Sequence, residues 1–216
     1  MIAKELKRIS SSMESPVKVL DVGCGNGWYW TTGRLGNLVD SKVIELHILD
    51  AAVPPKSLSL ISKVHQGIAP ETLARFSTNE FDFVTTFDLI EHFPKHLGYQ
   101  LLYEIDRIAS KGSSVFTPNG FVWQPGSENN PFNAHLSGWT SKELSRLGWD
   151  KQYSTSGLRL LHGPYGKLKI NPVNKLSIGI NFLSHVLGIM HKDIGFAVLS
   201  IATKKQPREK FQNLGD

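Results

Sequence analysis

Val17-Lys18-Val19-Leu20-Asp21-Val22-Gly23-Cys24-Gly25-Asn26-Gly27 is the stretch that decides the fold. A short apolar run stopped by glycines reads as a buried strand of the kind parallel sheets are made from. Glycines at alternate positions then let the backbone turn sharply and approach a ligand with no Cβ in the way. The helix that follows presents free N–H groups to whatever lies against the turn. The spacing is G-x-G-x-G, not the G-x-G-x-x-G of dinucleotide-binding folds. Taken alone, such a turn also serves as a tight connection with no ligand. Two carboxylates argue for a ligand: Asp21 before the first glycine, and Asp50 at the end of His47-Ile48-Leu49-Asp50, where it suits a pair of ribose hydroxyls.

Outward from this turn, strand-like runs recur at 43–50, 81–87, 113–117, 149–155 and 195–202, with a further short one near 63–66. Helical spacing lies between them. Leu97, Leu101, Leu102, Ile105 and Ile108 make a stripe over 95–109, and Ile2, Leu6, Ile9 and Met13 make another over 2–13. Thr140-Ser141-Lys142-Glu143 opens a helix over 140–147, with Thr and Glu in the capping-box relation. Strands alternating with helices imply an α/β fold: one doubly wound, mostly parallel, seven-stranded sheet of the Rossmann-like kind, helices on both faces, in a single domain over residues 1–216. Ligands of such sheets bind beyond the carboxyl ends of the strands, so the loops after 22, 50, 87 and 117 are the place to look.

Composition narrows the class. The chain has 216 residues, 40% of them hydrophobic, and carries 24 Lys and Arg against 19 Asp and Glu, a net charge of +5. That charge is compatible with an anionic ligand; it is too mild and dispersed to establish a nucleic-acid surface, which leaves a nucleic-acid acceptor open. A lone cysteine, Cys24, excludes an internal disulfide framework and a cysteine-based zinc site. Met1–Lys7 lacks the apolar centre of a signal peptide, and no run reaches the roughly 18 apolar residues of a membrane span. The expectation is a soluble, cytoplasmic protein.

The segment Val19–Gly27 (VLDVGCGNG) resembles the first motif of class I S-adenosylmethionine-dependent methyltransferases, of the type 11-like kind, and His47–Ala51 (HILDA) resembles their second. Phe81–Phe93 (FDFVTTFDLIEHF) and Val115–Gly120 (VFTPNG) are similar to the family's fourth strand with its turn and to its fifth strand with its exit. The resemblance implies S-adenosylmethionine as cofactor. Asp21, Gly23, Cys24, Gly25 and Gly27 would lie against its methionine part, and Asp50, with Ala51 beside it, would hold the ribose. Asp88 joins the cofactor-binding set. Where the family often has Gly-Asp for the adenine, this chain has Gly67-Ile68-Ala69, so adenine contact falls to backbone groups and Ile68. The gap between the glycine turn and Asp50 exceeds the family's usual length, and the loop around 36–42 is expected to be extended.

Asp88-Leu89-Ile90-Glu91-His92 sets three ionisable groups at a strand's ligand-binding end. Glu91 and His92 can fix the turn and orient one another; alternatively, an imidazole with its ordinary pKa near 6.5 suits proton uptake from an attacking hydroxyl. With His135-Leu136-Ser137-Gly138-Trp139-Thr140, the segment is also similar to the small-RNA 2′-O-methyltransferases, which implies Asp88, Glu91, His92 and His135 as ligands of a divalent ion, although Asp88 is one methylene shorter than that family's glutamate. The reading adopted takes His92 and His135 as acceptor-side catalytic residues, with no metal. The segment 118–139 carries Phe121, Trp123, Phe132 and Trp139, which read either as a lid or as core. A lid-like insertion is expected at about 156–194, resting on an apolar substrate or a membrane surface, or packed on the domain or on a second subunit. The expected activity is methyl transfer to an oxygen acceptor, small-molecule or lipid-like, with a possible homodimer. Aminopropyl transfer and a cofactor-binding module without catalysis are the alternatives.

Overall fold

A computed structural model of the chain describes residues 1–31, 33–52, 61–128, 131–158, 183, 186 and 195–203. The first helix, α1 (Ile2–Ser10), buries Ile2, Ala3, Leu6 and Ile9. It ends three residues short of Met13 because the Ser11 and Ser12 hydroxyls donate to the carbonyls of Arg8 and Ile9, offering the backbone an alternative to another helical turn.

Strand β1 (Val17–Val22) pairs in parallel with β2 (Ile44–Asp50) on one side and β4 (Phe81–Phe87) on the other; β3 (Lys63–Gln66) pairs in parallel with β2. With β5 (Ala109–Pro118), β6 (Lys151–Leu158) and β7 (Gly195–Thr203), the seven-stranded sheet has the order β3-β2-β1-β4-β5-β7-β6. Only the β6–β7 pair at its end is described as antiparallel. This is the mostly parallel, Rossmann-like sheet the alternating pattern implies.

Between the glycine turn and β2 lie α2 (Trp28–Thr31) and α3 (Gly33–Asp40). The expectation of an extended loop around 36–42 is corrected: residues through Asp40 are helical, Leu38 and Val39 are buried, and only Ser41 and Lys42 make the turn. Lys42 takes the left-handed conformation, and Val43 N–H donates back to the Leu38 carbonyl, a helix-terminating arrangement. Helix α4 (Lys95–Ile108) follows Pro94 and buries Leu101, Leu102, Ile105 and Ile108. Strand β5 begins at once, earlier than the apolar run at 113, because its first turn of chain carries Ser110 and Lys111, which reach Asp82. In α5 (Ser141–Arg146) the Thr140 hydroxyl accepts the Glu143 N–H, the cap read from the sequence.

The described residues form two compact units, one from 1–87, 99–114 and 203, the other from 88–98 and 115–202. Leu6, Val19, Leu20, Leu46, Ile48, Phe81 and Phe83 fill the core of the first. Ile90, Trp139, Leu144, Trp149 and Val198 fill the core of the second. There Trp139 donates its N–H to the Ser137 hydroxyl at 2.9 Å and lies under the Lys95 ammonium, 3.5 Å from the ring centroid. Trp139 is thus core, whereas Phe121, Trp123 and Phe132 on the same segment are exposed. Apart from 156–158, Leu183 and Val186, the insertion expected at 156–194 lies outside the described residues, as does the chain from 204. Among the described residues no helix is long and apolar enough to cross a membrane.

Candidate active site

The first unit places Asp21, Gly23, Cys24, Gly25, Gly27, Asp50, Ala51 and Ile68 at the carboxyl ends of β1, β2 and β3, where a doubly wound sheet binds ligands. Gly23, Gly25 and Gly27 have φ of 71°, 53° and 72°, a left-handed run that glycine alone adopts at little cost. A Cβ built on Gly25 meets nothing within 4 Å, so the backbone there faces open space. Gly25 N–H donates to Asp50 Oδ2 at 2.8 Å, and Ala52 N–H donates to Asp50 Oδ1 at 3.0 Å. Each carboxylate oxygen retains a second lone pair, so Asp50 closes the turn and keeps acceptor capacity to spare.

Asp21 is buried. Its Oδ2 accepts the Trp30 indole N–H at 2.7 Å, and its Oδ1 has no hydrogen-bond partner. Burial pushes this carboxyl up to about 8; the Trp30 N–H opposes the rise and the nearby Asp50 charge adds to it. Burial, reinforced by Asp21 and Asp50, likewise pushes the Cys24 thiol up to about 12, so Cys24 contributes shape to the turn and no nucleophile. Ala51 is exposed, and Ile68 is 52% exposed. At Gly67 an added Cβ would stand 2.1 Å from Thr72 Oγ1, so glycine is required there by packing.

The sequence reading missed the three aromatics after the turn. Besides the Trp30 bond to Asp21, Tyr29 stacks on Phe87 at the end of β4, centroids 4.2 Å apart and planes within 11°. Three consecutive aromatics at the opening of a helix, where short polar residues are usual, were the available signal.

Asp88, His92 and His135 belong to the second unit. Asp88 is exposed in a left-handed conformation (φ 46°), its N–H donating to the Phe116 carbonyl. The chain then makes a single helical turn, Ile90–His92. Glu91 is buried and works twice. Its carbonyl accepts the N–H groups of Leu136 and Ser137, at 2.8 and 3.1 Å, and its Oε2 accepts the Thr117 hydroxyl at 3.0 Å. Its Oε1 is buried with no hydrogen-bond partner. Burial, then the Asp88 charge, push the Glu91 carboxyl up to about 8.

His92 Nδ1 lies 3.0 Å from the Ala134 carbonyl and His135 Nδ1 lies 2.7 Å from the Val122 carbonyl. A carbonyl only accepts, so both Nδ1 atoms carry the hydrogen and each neutral ring keeps its lone pair on Nε2. The ring centroids are 4.9 Å apart with planes at 70°. Burial holds the His135 pKa below its ordinary value, partly opposed by the Val122 carbonyl. One ligand-type atom from each of Glu91, His92 and His135 falls within 4.8 Å of the others. Among the described residues the four-residue set implied by the small-RNA resemblance thus reduces to three, without Asp88.

The family described as a methyltransferase domain matches residues 1–121. That match selects methyl transfer over aminopropyl transfer and over a module without catalysis. Comparison with curated proteins gives no match. Among solved structures the chain is similar to a SAM-dependent methyltransferase from Archaeoglobus fulgidus, at 18% identity, covering 94% of this chain and 93% of that one with a TM-score of 0.56. It is also similar to a phosphoethanolamine N-methyltransferase of Haemonchus contortus solved with phosphomonomethylethanolamine and S-adenosylhomocysteine, at 14% identity, 94% and 52% coverage and TM-score 0.52. A small RNA methyltransferase matches at 14% identity, 96% and 26% coverage and TM-score 0.51. At these identities the likeness is one of fold. The residues present fit the cofactor such folds carry: open space over Gly25, a ribose-type carboxylate at Asp50 and a buried, unsatisfied acid at Asp21. With over half its length inside the family and the fold of S-adenosylmethionine-dependent enzymes around its glycine turn, this chain belongs to the methyltransferase domain family and takes S-adenosylmethionine as its cofactor.

Proposed function

We propose that the protein transfers the methyl group to a hydroxyl of a small-molecule or lipid-like acceptor, with His92 and His135 receiving the proton. One observation carries this reading: both imidazoles donate through Nδ1 to main-chain carbonyls, which leaves two Nε2 lone pairs as proton acceptors on adjoining rings. Bound S-adenosylmethionine supplies a methyl group activated by a sulfonium. On methyl transfer the acceptor hydroxyl would give up its proton to the Nε2 lone pair of His92 or His135. Proton uptake there leaves the Nδ1–H bond to the loop intact and strengthens it, since the donor becomes charged. Within the first unit the glycine turn, Asp50 and Ala51 hold the methionine and ribose parts, and Ile68 covers the adenine. The enzyme mainly positions the reactants, because the reactive bond belongs to the cofactor.

A second reading is favoured by the convergence of Glu91, His92 and His135 within 4.8 Å. One oxygen and two nitrogen donors suit a divalent cation that polarises the accepting hydroxyl. The test of the first reading is S-adenosylhomocysteine formation across matched hydroxyl, amine and thiol acceptors, with the methylated atom identified by mass spectrometry. O-methyl products are expected; methylation confined to nitrogen or sulfur would overturn the reading.

A further inference from the structure

Asp21 is held in a way that a turn alone does not require. Its side chain is 1% exposed, its Oδ2 takes the Trp30 N–H, and its Oδ1 is buried without a partner. An unsatisfied buried acid disfavours the folded state, and native structures keep such groups where a function offsets them. Trp30 is itself fully buried, three residues beyond Gly27 on α2, so its indole N–H reaches back from the exit of the glycine turn to the strand that enters it. Other tethers of this segment include the Gly25 N–H on Asp50, the Gly23 N–H on the Leu49 carbonyl and the Tyr29 ring on Phe87. The Asp21–Trp30 pair differs from these in burying an ionisable carboxyl, at the strand end that enters the glycine turn.

We infer that Trp30 is a positioning residue acting through Asp21: its N–H holds a buried carboxylate at the entry to the glycine turn, where negative charge favours S-adenosylmethionine, which carries the sulfonium, over S-adenosylhomocysteine, which does not. The two ligands differ by one methyl and one positive charge. A buried anion therefore acts on their affinity ratio, and low dielectric strengthens the effect. Such a preference favours capture of the substrate form and release of the product form. The inference concerns the cofactor alone and does not depend on the acceptor.

The groups facing Asp21 set how this varies with pH. From β2 comes Asp50, of like charge; from the turn comes the Cys24 thiol, neutral across the physiological range; β4 opposes it with Thr85, whose hydroxyl is bonded to Ser114; α2 supplies Trp30. Burial keeps Asp21 mostly protonated near neutrality, so the anion forms as pH rises through about 8. S-adenosylmethionine binding then draws Asp21 toward ionisation, and a proton leaves.

The test is calorimetric titration of the full chain with each ligand at several pH values from 6.5 to 9. In the wild type the ratio of S-adenosylmethionine to S-adenosylhomocysteine affinity should rise on the order of tenfold, the size of one pKa unit of coupling. Asp21→Asn keeps an acceptor for the indole and removes the charge, so its ratio should lose that rise. The ligands' own amino groups titrate alike in both proteins, which isolates Asp21. Trp30→Phe keeps the ring and withdraws the N–H, so the rise should move to higher pH. A purely structural role would weaken both ligands equally and leave the ratio alone. A wild-type ratio that changes with pH no more than that of Asp21→Asn would overturn the inference, and so would a Trp30→Phe ratio that follows the wild-type profile.

Discussion

Asp50 Oδ2 accepts the Gly25 N–H at 2.8 Å, so the carboxylate that ends one strand closes the glycine turn that leaves its neighbour. One side chain thus shapes the turn and, in the proposed function, also holds the ribose. Asp50→Ala removes both roles. Cofactor affinity should fall by about 1.5–3 kcal/mol, the range for hydrogen bonds to a charged group, as read by calorimetry. Unchanged affinity would mean that the ribose lies elsewhere.

Gly25→Val tests the cradle itself. With φ at 53° and open space over the position, the added side chain meets no protein atom but occupies ligand space and strains the turn. Cofactor binding should be lost while thermal stability drops by about 1–2 kcal/mol, the left-handed penalty for one residue. A variant that binds normally would show that the backbone does not approach the cofactor there.

Two buried carboxyls predict the pH dependence of stability. Asp21 and Glu91 are both pushed up to about 8, above their unfolded values near 4. Between those limits the folded protein keeps protons that the unfolded chain releases, so their contribution is present in full at acid pH and is lost as pH rises toward 8. Thermal melts should show stability declining from pH 5 to 8, and Asp21→Asn and Glu91→Gln should each flatten part of the decline. A melting temperature that rises steadily over this range in wild type and variants alike would contradict both assignments.

How much of this was legible in the sequence differs by element. The strands at 17–22 and 81–87 are apolar runs bounded by breakers, and the structure keeps those bounds. The start of β5 was hidden because Ser110 and Lys111 spend their polarity on Asp82, a partner 28 residues away in the case of Ser110. Helix α3 was hidden by two glycines, of which Gly36 is needed where its Cα passes the Trp30 carbonyl. In the site, residue types were legible and orientations were not. Nothing in the chain's spacing shows that both imidazoles turn Nδ1 to the 122–134 loop, or that Glu91 is left with one bare oxygen. Glu91 was read as fixing the turn, and its carbonyl bonds to Leu136 and Ser137 are of that kind.

A bound cation makes a separate prediction. If Glu91, His92 and His135 hold a divalent ion, EDTA should silence methyl transfer and added Mg²⁺ or Mn²⁺ should restore it. Glu91→Gln should then raise the concentration of metal required. Full activity in EDTA, in protein shown to be metal-free, would leave proton uptake as the role of the cluster.

The most direct test of proton uptake at the two imidazoles is the single-turnover rate of methyl transfer between pH 5 and 9 in wild type, His92→Asn and His135→Asn. Asparagine can keep an N–H for the loop carbonyl and lacks the Nε2 lone pair, so it separates the base from the clamp. The wild-type rate should rise with pH as imidazole loses its proton and then level off, early for His135, whose burial holds its pKa down. A variant that has lost the acting base should be slower by about 10²–10⁴-fold with cofactor affinity unchanged. A wild-type rate independent of pH, with both variants as fast as the wild type, would contradict the account.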